Sequence, residues 1–292
     1  MSANRFLARL AEGKTLVIDG ATGTNLQQRG LPRGMASDAW VLENPSEVQR
    51  LHKAFLAAGS DIILTDTFGS TRIRLEHAGL QERMVEINQK AVMLAKDAVA
   101  GTLTLVAGSI GPTGQMLQPM GTLTEDAARD AFAEQAKALA EAGVDLLVIE
   151  TQFDLGEARA AIEGARSVCS LPLVCSFSYD RGVRTMMGVK PAQMARELGD
   201  LVDVLGINCG RSLEDNLKVL KELRQATEKP IWFKPNAGLP RTLPNDQVAY
   251  DVTPDEMGSQ APVWVAEGAC LVGGCCGTSP EHLAAIASSI KG

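Results

Sequence analysis

The chain has 292 residues, of which 45% are hydrophobic and 22% charged, a composition typical of globular proteins and not of disordered or fibrous ones. Its formal net charge of -7 at pH 7 provides no broad basic surface, so we expect neither a nucleic acid nor an anionic membrane as a partner. The longest uncharged stretch, residues 98–124, is interrupted by Gly, Pro and Thr, which argues against a transmembrane helix. The first residues lack the apolar segment of a signal peptide, and we expect a cytoplasmic protein.

Short apolar, β-branched runs alternate with longer amphipathic segments along the chain, which is typical of repeated strand and helix units around a parallel sheet. The predicted strands cover residues 15–21, 61–68, 103–110, 145–151, 172–178, 202–209, 230–236 and 270–276. The predicted helices cover residues 46–58, 71–99, 124–142, 154–168, 191–200, 213–227, 254–267 and 280–290. Eight of each favour an α/β fold, a (β/α)8 TIM barrel formed as a single domain over residues 1–292.

Functional groups of such a barrel gather at the carboxyl ends of its strands. Two segments that follow predicted strands, residues 27–45 and 238–253, are longer than turns, and we expect them to form the rim of the site. Three of the six cysteines end the sixth and eighth strands: Cys209, Cys275 and Cys276. Strands six and eight are two apart in a barrel, so these cysteines are expected to converge.

Three converging thiolates fit zinc, which prefers tetrahedral sulfur and nitrogen ligands and keeps a position open in catalytic sites. The three histidines all fall within predicted helices, outside the barrel: His52, His77 and His282. The alternative is that these cysteines are small, buried residues in packed turns, and without a CxxC pair the spacing leaves both interpretations open. No role is assigned to the remaining cysteines, which are Cys169, Cys175 and Cys270.

The Gly-rich turn at residues 273–278 has a second interpretation, because barrels often bind phosphate after their last strands. That alternative predicts an aldolase or isomerase, for which Lys234 is the strand-end lysine. A regulatory metal sensor is a further alternative.

Carboxylates also end predicted strands. Asp19 is open to interpretation as a turn residue, but Glu150 ends an apolar strand and requires a partner if it is buried.

Four segments resemble the zinc-dependent homocysteine S-methyltransferase family: DGATGT at 19–24, GINC at 206–209, PNAG at 235–238 and GGCCGTSPEH at 273–282. The segments IGPTG at 110–114 and ET at 150–151 fit in the same order. The likeness covers nearly the whole chain and is strongest to the homocysteine domain of cobalamin-dependent methionine synthase. Because only that domain is recognised, the resemblance implies a free-standing or split enzyme.

The resemblance implies a (β/α)8 barrel that binds Zn2+ through Cys209, Cys275 and Cys276. It also implies that Asn236 lies beside the metal and is a candidate fourth ligand when substrate is absent.

The same resemblance implies that Asp19, Gly20 and Glu150 hold the amino acid part of homocysteine. Asn208 and Asp66 complete the set of expected substrate-binding residues. Relatives usually carry Asn where this chain has Asp66, and the additional carboxyl group bears on substrate orientation and identity.

The expected reaction moves a methyl group to the thiolate of homocysteine and gives methionine. Zinc coordination deprotonates a thiol whose ordinary pKa is about 8.5 and makes it a nucleophile. The expected donor is methylcobalamin on a partner protein, with betaine or S-methylmethionine as alternatives. A betaine site needs an aromatic cage, for which Trp40 and Tyr250 in the two long segments are the candidates in a chain with 2 Tyr, 3 Trp and 7 Phe.

Overall fold

The computed structural model of the protein describes residues 4–32, 34–242 and 248–292. Eight parallel strands form one sheet: β1 (Leu16–Val17), β2 (Ile62–Leu64), β3 (Leu105–Ile110), β4 (Leu146–Gln152), β5 (Leu173–Phe177), β6 (Val204–Cys209), β7 (Ile231–Pro235) and β8 (Ala269–Val272). Their order is β1-β8-β7-β6-β5-β4-β3-β2. The edge strands β1 and β2 meet through a bridge between Ile18 and Ile62, so the sheet closes into the predicted barrel.

Helices surround this sheet and bury their apolar faces against it. They are α1 (Arg5–Ala11), α2 (Thr22–Gln28), α3 (Ser37–Glu43), α4 (Pro45–Ala57), α5 (Arg72–Leu75), α6 (Met84–Ala98), α7 (Glu125–Ala142), α8 (Leu155–Val168), α9 (Pro191–Leu198), α10 (Leu213–Ala226), α11 (Pro254–Ala266) and α12 (Pro280–Lys291). Within the described residues, no helix combines the length and apolar character needed to cross a membrane.

The prediction of one continuous helix over residues 71–99 is wrong. The segment is divided into α5, two short 3-10 turns at Glu76–Ala78 and Gln81–Arg83, and α6. The division occurs at Gly79, whose φ of 67° lies in the left-handed region that ends helices. An apolar periodicity that continued through this glycine concealed the break.

The two long segments after strands are also more ordered than predicted. Residues 27–45 contain α3, which buries Trp40 and Val41 against the barrel. Residues 238–253 contain a short antiparallel ribbon, Arg241–Thr242 with Val248–Ala249, while residues 243–247 lie outside the described part.

The apolar core has two layers, one between strands and helices and one inside the barrel. The inner layer takes side chains from every strand, and Phe6 of α1 joins it at the amino ends of the strands. Phe6 is completely buried, so α1 lies across that end of the barrel as a plug. The opposite end, at the carboxyl ends of the strands, is called the mouth below.

Aspartates repeat at the plugged end. Each directly precedes a strand and accepts a hydrogen bond from the backbone N–H of the neighbouring strand at 2.8–2.9 Å: Asp61 from Val17, Asp145 from Val106 and Asp203 from Leu173. Arg5 and Arg9, one turn apart on α1, form ion pairs with two of them, Asp145 and Asp61. Because these carboxylates satisfy strand-end donors and also hold α1, they join the plug to the barrel.

The core also contains a histidine, His52 of α4, which is 1% exposed and whose Nε2 has no hydrogen-bond partner among the described residues. Burial lowers the pKa of His52 to about 4, against about 6.5 when the chain is unfolded. Protons therefore bind preferentially to the unfolded chain, and we expect stability to fall from about pH 6.5 down to pH 4, by a total on the order of 3 kcal/mol.

Urea unfolding of the wild type and of His52→Leu between pH 4 and 7.5 checks this expectation. The substitution should remove this part of the pH dependence, whereas substitution of the exposed histidine, His77→Gln, should keep it. An unchanged pH profile in His52→Leu would show that another group is responsible.

Candidate metal centre

The three cysteines predicted to converge do so at the mouth. Cys209 ends β6, and Cys275 and Cys276 follow β8, two strands away in the barrel. Their sulfur atoms all lie within 4.8 Å of one another, and the Cys209 and Cys275 Sγ atoms are 3.0 Å apart. That separation is longer than the roughly 2.05 Å of a disulfide, and all three cysteines are free.

The backbone around these sulfurs is strained. Cys209 has a φ of 59° and Thr151, at the end of β4, a φ of 60°, which are unusual values for residues other than glycine. Asn208, which directly precedes Cys209, links the two strained residues through its side chain. Its Oδ1 accepts from Thr151 N at 2.9 Å and its Nδ2 donates to Thr151 Oγ1 at 2.7 Å. Strain maintained by such bonds is typical of functional sites, where it orients a side chain.

The Asn208 side chain also reaches the sulfur cluster. Its Nδ2 lies 3.6 Å from Cys209 Sγ and 3.8 Å from Cys275 Sγ, and it is completely buried. Asn208 is not among the residues that line the cavity described below, so the structure places it behind the sulfurs, where its amide group favours negative charge on them.

Charge within the cluster is unevenly divided. Hydrogen bonds from the Cys209 and Cys275 thiols lower the pKa of Cys276 well below its ordinary value. The same arrangement, together with burial, raises the pKa of Cys209 and raises that of Cys275 to about 12. The protein alone thus stabilises one thiolate with two thiols. Full deprotonation requires a central cation, and a set of three sulfur donors fits zinc.

Five of the six backbone N–H donors of the Gly-rich turn at residues 273–278 are bonded within the protein. The N–H groups of Gly273, Gly274 and Cys275 donate to carbonyl groups of neighbouring strand ends. Those of Gly277 and Thr278 are bonded within the turn or to Thr24. The phosphate interpretation depended on free N–H groups here, and the turn instead holds the two cysteines in place.

Asp19 and Lys234 form a buried ion pair beside the cluster. Lys234 Nζ lies 2.9 Å from Asp19 Oδ1, and Asp19 Oδ2 accepts from Leu64 N at 2.8 Å. Burial opposes the charge of Lys234, but Asp19, Glu150 and Cys275 raise its pKa above the ordinary value. Burial likewise raises the pKa of Asp19, against the effect of Lys234. The interpretation of Asp19 as a simple turn residue is therefore wrong.

Glu150 has the partner that its buried position requires. Ser109 Oγ donates to its Oε1 at 2.5 Å, and the charge of Lys234 lies nearby. Burial outweighs these contacts and raises the pKa of Glu150 to about 7, so this carboxyl group exchanges a proton near neutral pH. Perturbed carboxyl groups of this kind are typical of binding and catalytic sites.

The three cysteines, Glu150 and Lys234 line one cavity of about 310 Å³ at the mouth, which we call the mouth cavity. Of the predicted site residues, it contains the three cysteines, Gly20, Asp66 and Glu150. Asp19 is not in the lining and reaches it only through its bonds to Lys234 and Leu64, which are part of it. A side chain at Gly20 would approach Leu283 and Phe55 to 2.8 Å, so glycine is needed there for packing. Residues that sequence reasoning did not place in a substrate site also line it, namely Lys234, Ser109 and Thr151.

Asn236 lies next to the cluster but outside the lining of this cavity. Its backbone N donates to Cys209 O at 3.2 Å and its Nδ2 donates to Gly210 O at 2.9 Å. Its Oδ1 is buried and has no hydrogen-bond partner among the described residues. Asn236 thus has a buried oxygen without a partner on a residue bonded to the Cys209–Gly210 backbone, and its role as a fourth ligand stays a prediction.

The predicted aromatic pair does not form a cage. Trp40 is buried in the core and does not line the mouth cavity, which corrects its assignment to the rim. The Tyr250 ring packs on Gly277, where a Cβ atom would lie 2.2 Å from the ring. Phe68 lines the cavity, but the guanidinium of Arg74 lies 5.5 Å from its ring centroid.

Comparisons with known proteins agree with this geometry. A family model described as homocysteine S-methyltransferase matches residues 16–290. The sequence is 29% identical to the methionine synthase of Mycobacterium leprae over 296 residues, an alignment that covers 95% of this chain and 24% of that protein. The chain thus spans about a quarter of the length of this relative.

Solved structures give a match over the full length. The metallated form of the homocysteine methyltransferase MmuM from Escherichia coli has a TM-score of 0.81 and 28% identity, covering 98% of this chain and 99% of that one. The apo form of the same enzyme has a TM-score of 0.75 and 27% identity, covering 98% of this chain and 100% of that one.

We expect each of the variants Cys209→Ser, Cys275→Ser and Cys276→Ser to lose zinc, because a hydroxyl group is a poor replacement for a thiolate ligand. The loss in affinity should exceed the roughly 10–100-fold effect of changes outside the ligand set. Metal analysis after dialysis against a competing chelator measures this loss.

The matched control is Cys169→Ser, a partly buried cysteine outside the cluster, which should retain about one zinc per chain. Zinc retention by a cluster variant at the level of this control would contradict the assignment.

Proposed function

Since the chain belongs to the homocysteine S-methyltransferase family, we propose that it transfers a methyl group to the sulfur of homocysteine and forms methionine. In this proposal residues 1–292 form one homocysteine-binding domain, and Cys209, Cys275 and Cys276 hold Zn2+. The existence of a metallated form of the full-length structural relative supports a metal-binding arrangement of these cysteines.

The metal would supply positive charge that keeps a bound thiol deprotonated and nucleophilic near neutral pH. The chain's contribution is to gather three sulfur ligands on one side of the mouth cavity. Asn236 provides an oxygen near Cys209 that is suited to the fourth position when substrate is absent.

The other residues of the cavity suit the amino acid part of the substrate. Glu150 and Asp19 are buried acceptors for an ammonium group, and Lys234 limits the repulsion between them. A substrate ammonium would stabilise the charged form of Glu150, whose pKa of about 7 in the free protein lies close to the working pH.

The reaction is a substitution at the methyl carbon. A sulfur–carbon bond forms from the thiolate electron pair, and the bond between the methyl group and its donor breaks, leaving that electron pair on the donor. The cavity holds the nucleophile at the mouth, where a donor arriving from outside reaches it.

One observation carries this proposal: three sulfur atoms line the same cavity as the buried Glu150 and Lys234, and Lys234 is paired with Asp19. A thiol-activating centre is thereby placed beside groups that can hold an amino acid. The phosphate-binding alternative lacks such support, because five of the six backbone donors of the Gly-rich turn are already bonded within the protein.

X-ray absorption at the zinc edge tests the proposal. We expect about one zinc per chain with three sulfur ligands and a lighter fourth ligand, changing to four sulfur ligands when homocysteine is added. Homoserine, which has a hydroxyl group in place of the thiol, is the matched control, and with it zinc should keep three sulfur ligands. An unchanged ligand set with homocysteine would refute thiol activation at this centre.

For the methyl donor we propose a methylcorrinoid carried by a partner protein. Betaine carries a quaternary ammonium group and S-methylmethionine a sulfonium group, and free aromatic faces are the usual protein surface for a methylated cationic centre that cannot donate hydrogen bonds. In the described residues, Phe68 is the aromatic side chain lining the mouth cavity, and Arg74 already lies over its ring. The positive charge of Arg74 also disfavours a second cation at this position.

Methionine formation by the purified, zinc-loaded protein distinguishes the donors. We expect turnover with methylcobalamin at high concentration and none with betaine or S-methylmethionine. Turnover with betaine or S-methylmethionine in the absence of a corrinoid would overturn the donor proposal, although homocysteine would remain the acceptor.

A further inference from the structure

Asp66 is the one carboxyl group of the mouth cavity that the proposed function does not explain. It follows β2, is 2% exposed and lines the cavity together with Glu150 and Lys234. Its Oδ1 accepts a hydrogen bond from Ser37 Oγ at 2.7 Å. Its Oδ2 has no hydrogen-bond partner among the described residues. A buried carboxylate with one oxygen unsatisfied is costly, whereas a carboxylic acid has a proton to donate from that position.

A second buried carboxyl group, Asp38, lies beside it on α3. Asp38 Oδ1 accepts from Gly69 N at 2.9 Å and from Ser70 Oγ at 2.5 Å, and Arg74 adds a favourable positive charge. Asp38 is thus better supplied with hydrogen-bond donors than Asp66. Of two neighbouring buried carboxyl groups, the better stabilised one carries the charge and the other keeps a proton.

The direction of the titration agrees with this geometry. Burial and the charge of Asp38 raise the pKa of Asp66 to about 8, against the effect of the Ser37 hydrogen bond. The other charged groups around it are Arg74, next to Asp38, and Glu150 and Lys234 in the cavity lining.

The carboxylate of an amino acid requires hydrogen-bond donors, and several of the polar side chains that surround Asp66 and Glu150 are already engaged. Lys234 is engaged by Asp19, and the hydroxyl groups of Ser37 and Ser109 already donate to Asp66 and Glu150. A negative charge on Asp66 would add to those of Asp19 and Glu150 and would repel a substrate carboxylate.

We propose that Asp66 remains a neutral carboxylic acid and donates a hydrogen bond from its second oxygen to the carboxylate of the substrate amino acid. This inference rests on the proposed function, because it concerns the same cavity and the same substrate. Asp66 thereby selects α-amino acids against thiols that lack a carboxylate, and the selection disappears when Asp66 ionises.

The test compares homocysteine binding by the zinc-loaded wild type and by Asp66→Asn, using calorimetry between pH 7 and 9.5. The amide keeps a donor but cannot ionise. Proton release from the substrate thiol affects both proteins equally, so the ratio of their dissociation constants isolates Asp66. Above pH 8 this ratio should move against the wild type by up to about tenfold per pH unit. A ratio that is constant across the range overturns the proposal.

The matched ligand control is 3-aminopropanethiol, which has the thiol and the ammonium group but no carboxylate. Its binding by the wild type should not weaken relative to Asp66→Asn above pH 8, because it has no carboxylate for an ionised Asp66 to repel. A ratio that moves against the wild type for this ligand would show that ionised Asp66 disturbs the cavity as a whole, and this would also overturn the proposal.

Infrared spectroscopy provides a measurement that is independent of substrate and metal. At pH 7 the difference spectrum between the wild type and Asp66→Asn should contain the carbonyl band of a protonated carboxylic acid, and absence of this band overturns the protonation of Asp66. If the band is present and neither protein binds homocysteine, the proposed function fails and the protonation of Asp66 stands.

Discussion

The buried ion pair of Lys234 with Asp19 connects the chemistry of the mouth to the closure of the barrel. Asp19 follows β1, where the sheet closes, and its second oxygen accepts a hydrogen bond from Leu64 of β2 across that seam. Removing one partner of a buried pair typically costs about 3–5 kcal/mol, because the other charge is left uncompensated. Lys234 also balances Glu150 and Cys275, so the same cation supports both the fold and the charge distribution of the cavity.

Around this pair, the site divides its negative charge among groups that differ in their stabilisation. Cys276 receives hydrogen bonds from two thiols, whereas Glu150 and Asp66 are buried and hold their protons more tightly. A cluster of acids can share a small cavity in this way because few of them are charged at once. A cation that entered the cavity would favour the ionised form of the acids nearest to it and so promote the loss of their protons.

Much of this arrangement follows from the sequence. The strands were predictable because β-branched runs alternate with amphipathic segments, and Cys209 and Cys275 could be placed at one mouth because parallel strands end on the same side. The pairing of Lys234 with Asp19 could not be predicted, because the two residues are 215 positions apart and no local pattern links them. The burial of Trp40 was missed for a related reason: its segment looked like a loop, and its helix is fixed by tertiary packing.

The plug at the amino end of the barrel has a consequence for the order of folding. Helix α1 precedes every strand in the chain, yet Phe6 packs among side chains that come from all eight of them. Asn4 and Arg5 are bonded to Asp145, roughly half the chain away. Helix α1 is therefore synthesised before its docking surface, which is complete only when the last strand has been synthesised. We expect α1 to dock only after the eight strands have assembled, so a segment translated before all of them becomes native after them.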